Sequence, residues 1–203
     1  MERDEVDVLF CDENPGLALY LPGDDMPSAA ISFWRSALSP VGAGHVLALW
    51  RRNEGGVGEA AVQAYADNRA LGRAVLDTFI RHWPPFDTVM TRGAEAREAR
   101  FSVEVDARRF YRVACTGADL DLTAEWRDLR PARRYPAHMH AGVGYDGVAL
   151  IVENVVCYCE SAAARIDGTP VEGESRPESS GGTSAYVTLC ETWYLATQGR
   201  IEK

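Results

Sequence analysis

The chain has 203 residues, of which 46% are hydrophobic, and it carries a formal net charge of −9 at pH 7. This length suits a single domain over residues 1–203, and the apolar content is sufficient for a core that needs no cross-links. The acidic charge is dispersed along the sequence, which argues against binding to nucleic acid or to an anionic membrane surface.

Cysteine usage and the lack of long apolar runs predict a cytoplasmic protein. The cysteines are odd in number, form no CxxC pair and lie in strand-like surroundings, which favours reduced thiols at Cys11, Cys115, Cys157, Cys159 and Cys190. The charged residues 1–7 do not resemble the start of a signal peptide. No apolar run approaches the ~18–20 residues of a membrane span, so we expect no membrane segment.

The N-terminal region predicts two short strands followed by a helix. Residues 6–10 and 17–21 are interpreted as strands, with a turn at 14–16 where the sequence is Asn-Pro-Gly. Residues 28–38 are interpreted as a short helix capped by a serine, because three of their large apolar residues fall on one side at helical spacing.

The next segments predict a hairpin and the principal helix. Residues 45–50 and 59–65 are interpreted as paired strands joined by a glycine-rich polar linker. Residues 68–83 form the predicted principal helix, with Asn68 as a candidate cap and a single apolar stripe at a 3.6-residue period.

The middle of the chain carries the clearest strand signal. Apolar and polar residues alternate along residues 99–129, which predicts three antiparallel strands buried on one face. Residues 130–147 are interpreted as an irregular loop or a lid because they are rich in proline and glycine. Residues 148–159 predict two strand pieces, or one strand bent by a bulge.

The C-terminal region completes a β-rich pattern. Residues 162–171 predict a hairpin around an Asp-Gly turn, residues 172–183 a flexible loop, and residues 185–196 the last strand. About ten short strands and one helix favour an α+β fold that is mostly antiparallel β. A closed or nearly closed barrel disposes of the strand edges and can hold one small ligand.

Glu191 is the most informative polar residue of the last strand. Strict alternation places it on the same face as four apolar residues, Val187, Leu189, Trp193 and Leu195. A carboxylate on a core-facing side must find a partner, or its pKa rises. Glu191 therefore either pairs with an arginine as a structural residue, or lines a cavity as an acid/base group or ligand anchor.

Two other groups could contribute to a ligand site. Trp126 and Asp128 fall on the apolar side of their strand, and an indole beside a carboxylate can form a ligand surface. Glu153, Asn154 and Tyr158 interrupt or border an apolar run, where polar groups must be hydrogen-bonded. They either satisfy the open backbone groups of a bulge or point into a cavity.

His138 and His140 stand two residues apart in an extended segment, so both imidazoles could bind one metal ion. No glutamate or second histidine motif follows at a matching spacing. We therefore expect no metal and no cofactor, and interpret both histidines as exposed or ligand-contacting residues.

Residues 101–131, which include ADLDLTAEWRDLRP, resemble the strand pattern of lipocalin-like barrels of the hydroxyneurosporene synthase (carotenoid hydratase) type. The stretch AAARIDGTPVEG resembles the hairpin that follows in that group. The group's Asp-x-x-Trp-Gly segment is not present, and the helix at 68–83 is not part of the pattern. The resemblance implies a lipocalin-like barrel cavity for a hydrophobic small molecule, and it carries over no catalytic residue.

The sequence leaves three functional hypotheses. The first is a barrel that binds a terpenoid- or polyketide-like ligand and acts on it by isomerisation, hydration or cyclisation. Glu191 and Asp128 would exchange protons, and Trp126, Trp193 and Tyr158 would shape the cavity. The second is a non-catalytic carrier or an interaction module that forms a homodimer. The third is a metal enzyme built on the two histidines.

Overall fold

The computed structural model describes residues 7–52, 62–83, 86, 94–106, 108–178 and 181–196. These residues form eleven strands, one α-helix and one 3₁₀ turn. The strands are β1 Val8–Leu19, β2 Ala29–Leu38, β3 Gly44–Arg51, β4 Gln63–Ala66, β5 Ala96–Asp106, β6 Phe110–Gly117, β7 Asp121–Leu129, β8 Arg133–Tyr145, β9 Val148–Ile166, β10 Thr169–Pro170 and β11 Ala185–Leu195. Helix α1 is Arg69–Thr78, and the 3₁₀ turn is Ile80–His82.

Nine strands close into a ring of hydrogen bonds. Its order is β1-β2-β3-β4-β5-β6-β7-β9-β11, and β11 pairs again with β1. Within this ring β4 and β5 are parallel, and every other pair is antiparallel. Strands β8 and β10 pair with β9 outside the ring. The predicted fold, mostly antiparallel β with strand closure and one principal helix, is confirmed.

The ring encloses an inner core to which every one of its strands contributes. One buried side chain from each strand, in ring order, shows this: Leu17, Ile31, Leu47, Tyr65, Ala99, Tyr111, Trp126, Cys159 and Val187. Because these side chains occupy the interior, burial of their apolar surface is a main source of stability. They pack in the ring interior, where the sequence placed a ligand.

A second, outer core lies between the ring and the elements that cover it. Its members come from the outward face of the ring, from α1 and from β8, and they include Phe10, Trp34, Val75, Phe79, Val143, Val152 and Trp193. The Phe79 ring is at the centre of this layer, 4.6 Å from the Trp34 ring and 4.7 Å from the Trp193 ring between centroids. Residues of the ring can therefore be buried on either face.

Helix α1 begins where the sequence predicts. The Asn68 side chain accepts hydrogen bonds from the backbone N–H groups of Ala70 and Leu71, which satisfies two free donors of the first turn. The helix ends at Thr78 rather than at residue 83, and the chain continues through Phe79 into the 3₁₀ turn.

The prediction of a helix at residues 28–38 is wrong, because these residues form β2. Ile31 and Phe33 enter the inner core, whereas Ala30 and Trp34 enter the outer core. A strand that is buried on both faces loses the alternation of polar and apolar residues that identifies half-buried strands. The apolar residues of such a strand can then also match the spacing expected of a helix, as they do in β2.

Two further interpretations of the N-terminal and central segments are wrong. The predicted turn at 14–16 is the middle of β1, where Pro15 pairs with Val187 and Gly16 with Tyr186. Residues 130–147 form β8 rather than a loop or lid, and β8 pairs with β9 with two irregularities in register. Residues 148–159, for which the sequence left open two strand pieces or one bent strand, belong to one long strand, β9, which continues to Ile166.

The end of the chain agrees with prediction where the structure describes it. Asp167 and Gly168 both have positive φ, at 51° and 76°, and connect β9 to β10 as a tight turn. In the loop that follows, Glu174 forms a bridge with Tyr20. The flexibility of residues 172–183 stays a prediction. No helix within the described ranges is both long and apolar enough to cross a membrane.

Candidate functional site

A bulge in β11 decides where Glu191 points. One extra residue lies between Thr188 and Cys190, opposite both neighbouring strands. Val187, before the bulge, and Leu189, within it, face the inner core, whereas Trp193, after it, is in the outer core. The prediction that these residues share one face with Glu191 is therefore wrong. Glu191 leaves the ring interior and is buried in the outer layer.

Glu191 lies beside a second buried carboxyl group, which is not among the site residues that the sequence predicts. Asp12 of β1 is its direct cross-strand partner, and the two residues are 3% and 2% exposed. The Asn14 side-chain amide donates a hydrogen bond to Glu191 Oε2 at 3.1 Å. Neither Asp12 oxygen has a hydrogen-bond partner at ordinary distance among the described residues. Within the described ranges, no arginine forms an ion pair with Asp12 or with Glu191.

Both acids resist ionisation. Burial raises the pKa of Glu191 to about 7, and its contact with Asn14 opposes part of the increase. Burial raises the pKa of Asp12 to about 8, and the nearby Glu191 charge adds to the shift. Two buried carboxyl groups side by side cannot both carry charge without a large cost, so the pair retains a proton at neutral pH.

A chain of buried polar groups leads away from the acids. The Ser32 hydroxyl donates to Asn14 Oδ1 at 3.5 Å and accepts a hydrogen bond from Trp34 Nε1 at 3.0 Å. Because Asn14 is itself bonded to Glu191, these contacts hold Ser32, Asn14 and Glu191 in one network. We call Asp12, Asn14, Ser32 and Glu191 the polar network.

The polar network ends at a cavity of about 390 Å³ on the outer face of the ring. Ser32 lines this cavity, whereas Asp12, Asn14 and Glu191 lie behind its wall. Most of the other lining residues are apolar or aromatic, among them Ala18, Tyr20, Met26, Ala30, Trp83, Phe86 and Tyr186. A concave apolar space with few polar groups is typical of a small-molecule site.

Gly16 forms the wall between this cavity and the ring interior. On the cavity side a Cβ at this position would lie 2.5 Å from the Tyr186 ring, so only glycine allows the ring to pack on the strand. The Gly16 carbonyl oxygen accepts a hydrogen bond from Trp126 Nε1 at 2.8 Å. Tyr186 on the cavity side and Trp126 on the inner side therefore both contact Gly16 and hold this part of β1 in place.

The structure separates the two acids that the sequence proposed as partners. Trp126 is fully buried in the inner core, but Asp128 is exposed. Asp128 has a φ of 52°, which breaks the strand alternation so that Leu129 packs inward in its place. The placement of Asp128 on the apolar side of β7 is wrong, and Asp128 lies outside the polar network and the cavity lining.

Among the residues that interrupt β9, Asn154 lies nearest to the polar network. It is the cross-strand neighbour of Glu191, and contact with it opposes part of the rise in the pKa of Glu191. Glu153 points to the opposite side and forms an ion pair with Arg134, 2.8 Å from its Nε atom. The Tyr158 hydroxyl is 3.2 Å from that of Tyr135 and does not line the cavity.

The two candidate metal ligands of β8 have different surroundings. His138 is exposed, and its Nδ1 atom is 2.9 Å from the Pro136 carbonyl oxygen. His140 is half-buried, with its ring centroid 6.0 Å from Trp83 and 5.9 Å from Trp193. Within the described ranges no three His, Cys, Asp or Glu residues are grouped as a metal site.

Glu191 and Trp193 stand out in the sequence as site residues, whereas Asp12, Asn14 and Ser32 do not. Two of these were hidden by the wrong interpretation of 14–16 as a turn and 28–38 as a helix. An extended reading of residues 8–19 places Asp12, Asn14, Gly16 and Ala18 on one face, which is the signal that could have found them.

Comparison of the chain with protein-family models, with curated proteins and with solved structures gave no match. The resemblance to carotenoid-hydratase-type barrels stays a prediction from the strand pattern.

Proposed function

We propose that the protein binds a largely apolar small molecule, terpenoid- or polyketide-like, in the cavity on the outer face of the ring. The observation that carries the proposal is the 390 Å³ cavity with aromatic walls, in whose lining Ser32 is the one residue of the polar network. Its volume is within the range of about 300–1,000 Å³ that small-molecule sites occupy. The proposed ligand lies outside the ring because inner-core side chains fill the interior.

Filling the cavity should abolish this binding. Ala18 lines it and is only half-buried, so Ala18→Trp places an indole in the space without disturbing the inner core. We expect saturable binding of the neutral fluorescent probe N-phenyl-1-naphthylamine to the unmodified protein, with displacement by farnesol. In Ala18→Trp we expect about tenfold weaker binding or none, because a filled pocket cannot bury the probe.

Ala163→Trp is the matched control, since Ala163 is exposed on β9 and does not line the cavity. It should bind the probe like the unmodified protein. Circular dichroism and thermal unfolding show whether both variants are folded. Probe binding that is absent from the unmodified protein, or equal in a folded Ala18→Trp variant, would contradict the proposal.

A second candidate function is acid/base chemistry on the bound ligand, and the buried pair of Asp12 and Glu191 favours it. Acids with pKa values near neutrality can both accept and release a proton at working pH. Ser32 is the member of the polar network that lines the cavity, and because its hydroxyl proton is donated to Asn14, its oxygen can accept a hydrogen bond from a ligand hydroxyl. Isomerisation, hydration and cyclisation of an unsaturated ligand need such groups.

Proton exchange separates this candidate from a non-catalytic carrier. We expect the protein to accelerate deuterium incorporation and E/Z isomerisation of farnesal in D₂O, measured by mass spectrometry and NMR. Glu191→Gln should lower the rate at least about tenfold while farnesal still binds, because Glu191 acts on the ligand through the hydrogen bonds of Asn14 and Ser32, and the amide cannot take up or release a proton at the end of that chain. Binding without accelerated exchange in either protein would support the carrier and contradict the acid/base candidate.

A further inference from the structure

The rim of the cavity differs in charge from its floor. Among the described lining residues the charged ones are Asp25 and Glu178, and both are exposed acids. The floor is formed by small residues of β1 and β2, such as Ala18 and Ala30. A ligand seated on this floor therefore meets negative charge where it leaves the cavity.

Four aromatic rings surround the same space: Tyr20, Trp83, Phe86 and Tyr186. The faces of such rings attract organic cations, and the attraction increases when the cation is removed from water. One face of the Tyr20 ring is already occupied by the Arg176 guanidinium, 3.6 Å from the ring centroid, whereas Trp83, Phe86 and Tyr186 have no such cation contact within the described ranges.

Arg176 does not neutralise the rim acids by pairing with their carboxylates. Its guanidinium donates hydrogen bonds to the backbone carbonyl oxygens of Asp24 and Asp25, at 3.0 and 3.1 Å, and it does not line the cavity. Arg52, another nearby cation, pairs with the Asp24 carboxylate at 2.6 Å. The carboxylates of Asp25 and Glu178 have no ion pair within the described ranges.

We propose that the ligand of this cavity is an organic cation: an apolar or aromatic body that packs on the floor and carries an ammonium group between the aromatic rings and the two rim acids. The inference rests on the proposed function, since it names the class of molecule that the same cavity binds. It adds a charged group to the terpenoid- or polyketide-like skeleton.

A series that varies only the charged group tests the inference. The probes are 1-naphthylmethylamine, 1-naphthylmethanol and 1-naphthoate, whose affinities are measured by displacement of N-phenyl-1-naphthylamine and by calorimetry. We expect the ammonium compound to bind about tenfold more tightly than the alcohol, and the carboxylate more weakly than both. In the double variant Asp25→Asn/Glu178→Gln this preference should fall to within about threefold, with the affinity for the alcohol unchanged.

The double variant Glu95→Gln/Glu98→Gln is the charge-matched control, because both glutamates are exposed and neither lines the cavity. This variant should keep the preference for the ammonium compound. Equal binding of the amine and the alcohol, or tighter binding of the carboxylate, overturns the cation inference while leaving the small-molecule site intact. Failure of all probes to bind overturns the proposed function itself.

Discussion

The unfolding free energy should fall as pH rises from about 4 to 8, and Glu191→Gln should remove a large part of this dependence. In the unfolded chain Glu191 ionises near its ordinary pKa, whereas in the folded protein burial raises its pKa to about 7. Between these values the folded state holds more protons than the unfolded state, so raising the pH favours unfolding. At about 1.4 kcal/mol per pKa unit, Glu191 alone accounts for roughly 3 kcal/mol.

The direction follows from the raised pKa of a carboxylic acid. The contribution of such a carboxyl group to the unfolding free energy is fully present below its pKa in the unfolded chain. This contribution is lost as the pH rises through its pKa in the folded protein. Asp12, whose pKa is raised to about 8, acts in the same direction and extends the loss to higher pH. Urea unfolding at pH 5, 6, 7 and 8 measures the slope.

Isosteric variants distinguish the buried pair from the general effect of net charge. Glu191→Gln and Asp12→Asn should match the unmodified protein at pH 5 and exceed its stability at pH 8, because neither amide has to remain protonated. Glu98→Gln, at an exposed site, changes the net charge equally and should leave the slope unchanged. Lower stability of Glu191→Gln at pH 8 would show that Glu191 is an ionised structural residue and would contradict this account.

Trp126→Ala should destabilise the protein by about 3–5 kcal/mol, which is the usual cost of removing a fully buried aromatic side chain. Trp126 has no exposed surface, its ring packs edge-on against Tyr111 at 6.1 Å, and its indole donates to the Gly16 carbonyl oxygen. The substitution leaves a cavity in the inner core and a buried acceptor without its donor. Heat or urea unfolding measures the loss.

Two other substitutions separate the contributions of the hydrogen bond and of burial to the effect of Trp126→Ala. Trp126→Phe keeps an aromatic ring but loses the hydrogen bond to Gly16, and it should cost about 1–3 kcal/mol. Trp83→Ala removes an equally large ring from the half-buried cavity wall, and it should cost less than either change at Trp126. If Trp83→Ala proved as costly as Trp126→Ala, full burial in the inner core would not explain the expected loss at Trp126.

The sequence predicts the fold well where one face of a strand is exposed to solvent. β5, β6 and β7 alternate clearly because their outward residues meet water, and α1 shows both its cap and its apolar stripe. β2 could not be identified in the same way, because its first six residues are buried by two different cores. Because the outer core covers β2, the outward residues of this strand are mostly apolar, and the alternation of polar and apolar residues is lost.

The candidate site is only partly predictable for a related reason. Glu191 is recognisable because a carboxylate among apolar residues is unusual. Its partner Asp12 and the polar residues between it and the cavity become neighbours only through pairing of β1 with β2 and β11. The contact between Asn14 and Glu191 joins residues 177 positions apart, and local patterns contain no information about it.

The extra residue between Thr188 and Cys190 has a consequence for comparing this chain with relatives. A homologous sequence one residue shorter at this point would turn every later side chain of β11 to the opposite side. Its acid would then occupy the ring interior, and its tryptophan would leave the aromatic layer around Phe79. Gap placement within two positions of Cys190 therefore determines whether an aligned glutamate is equivalent to Glu191, however well the flanking columns agree.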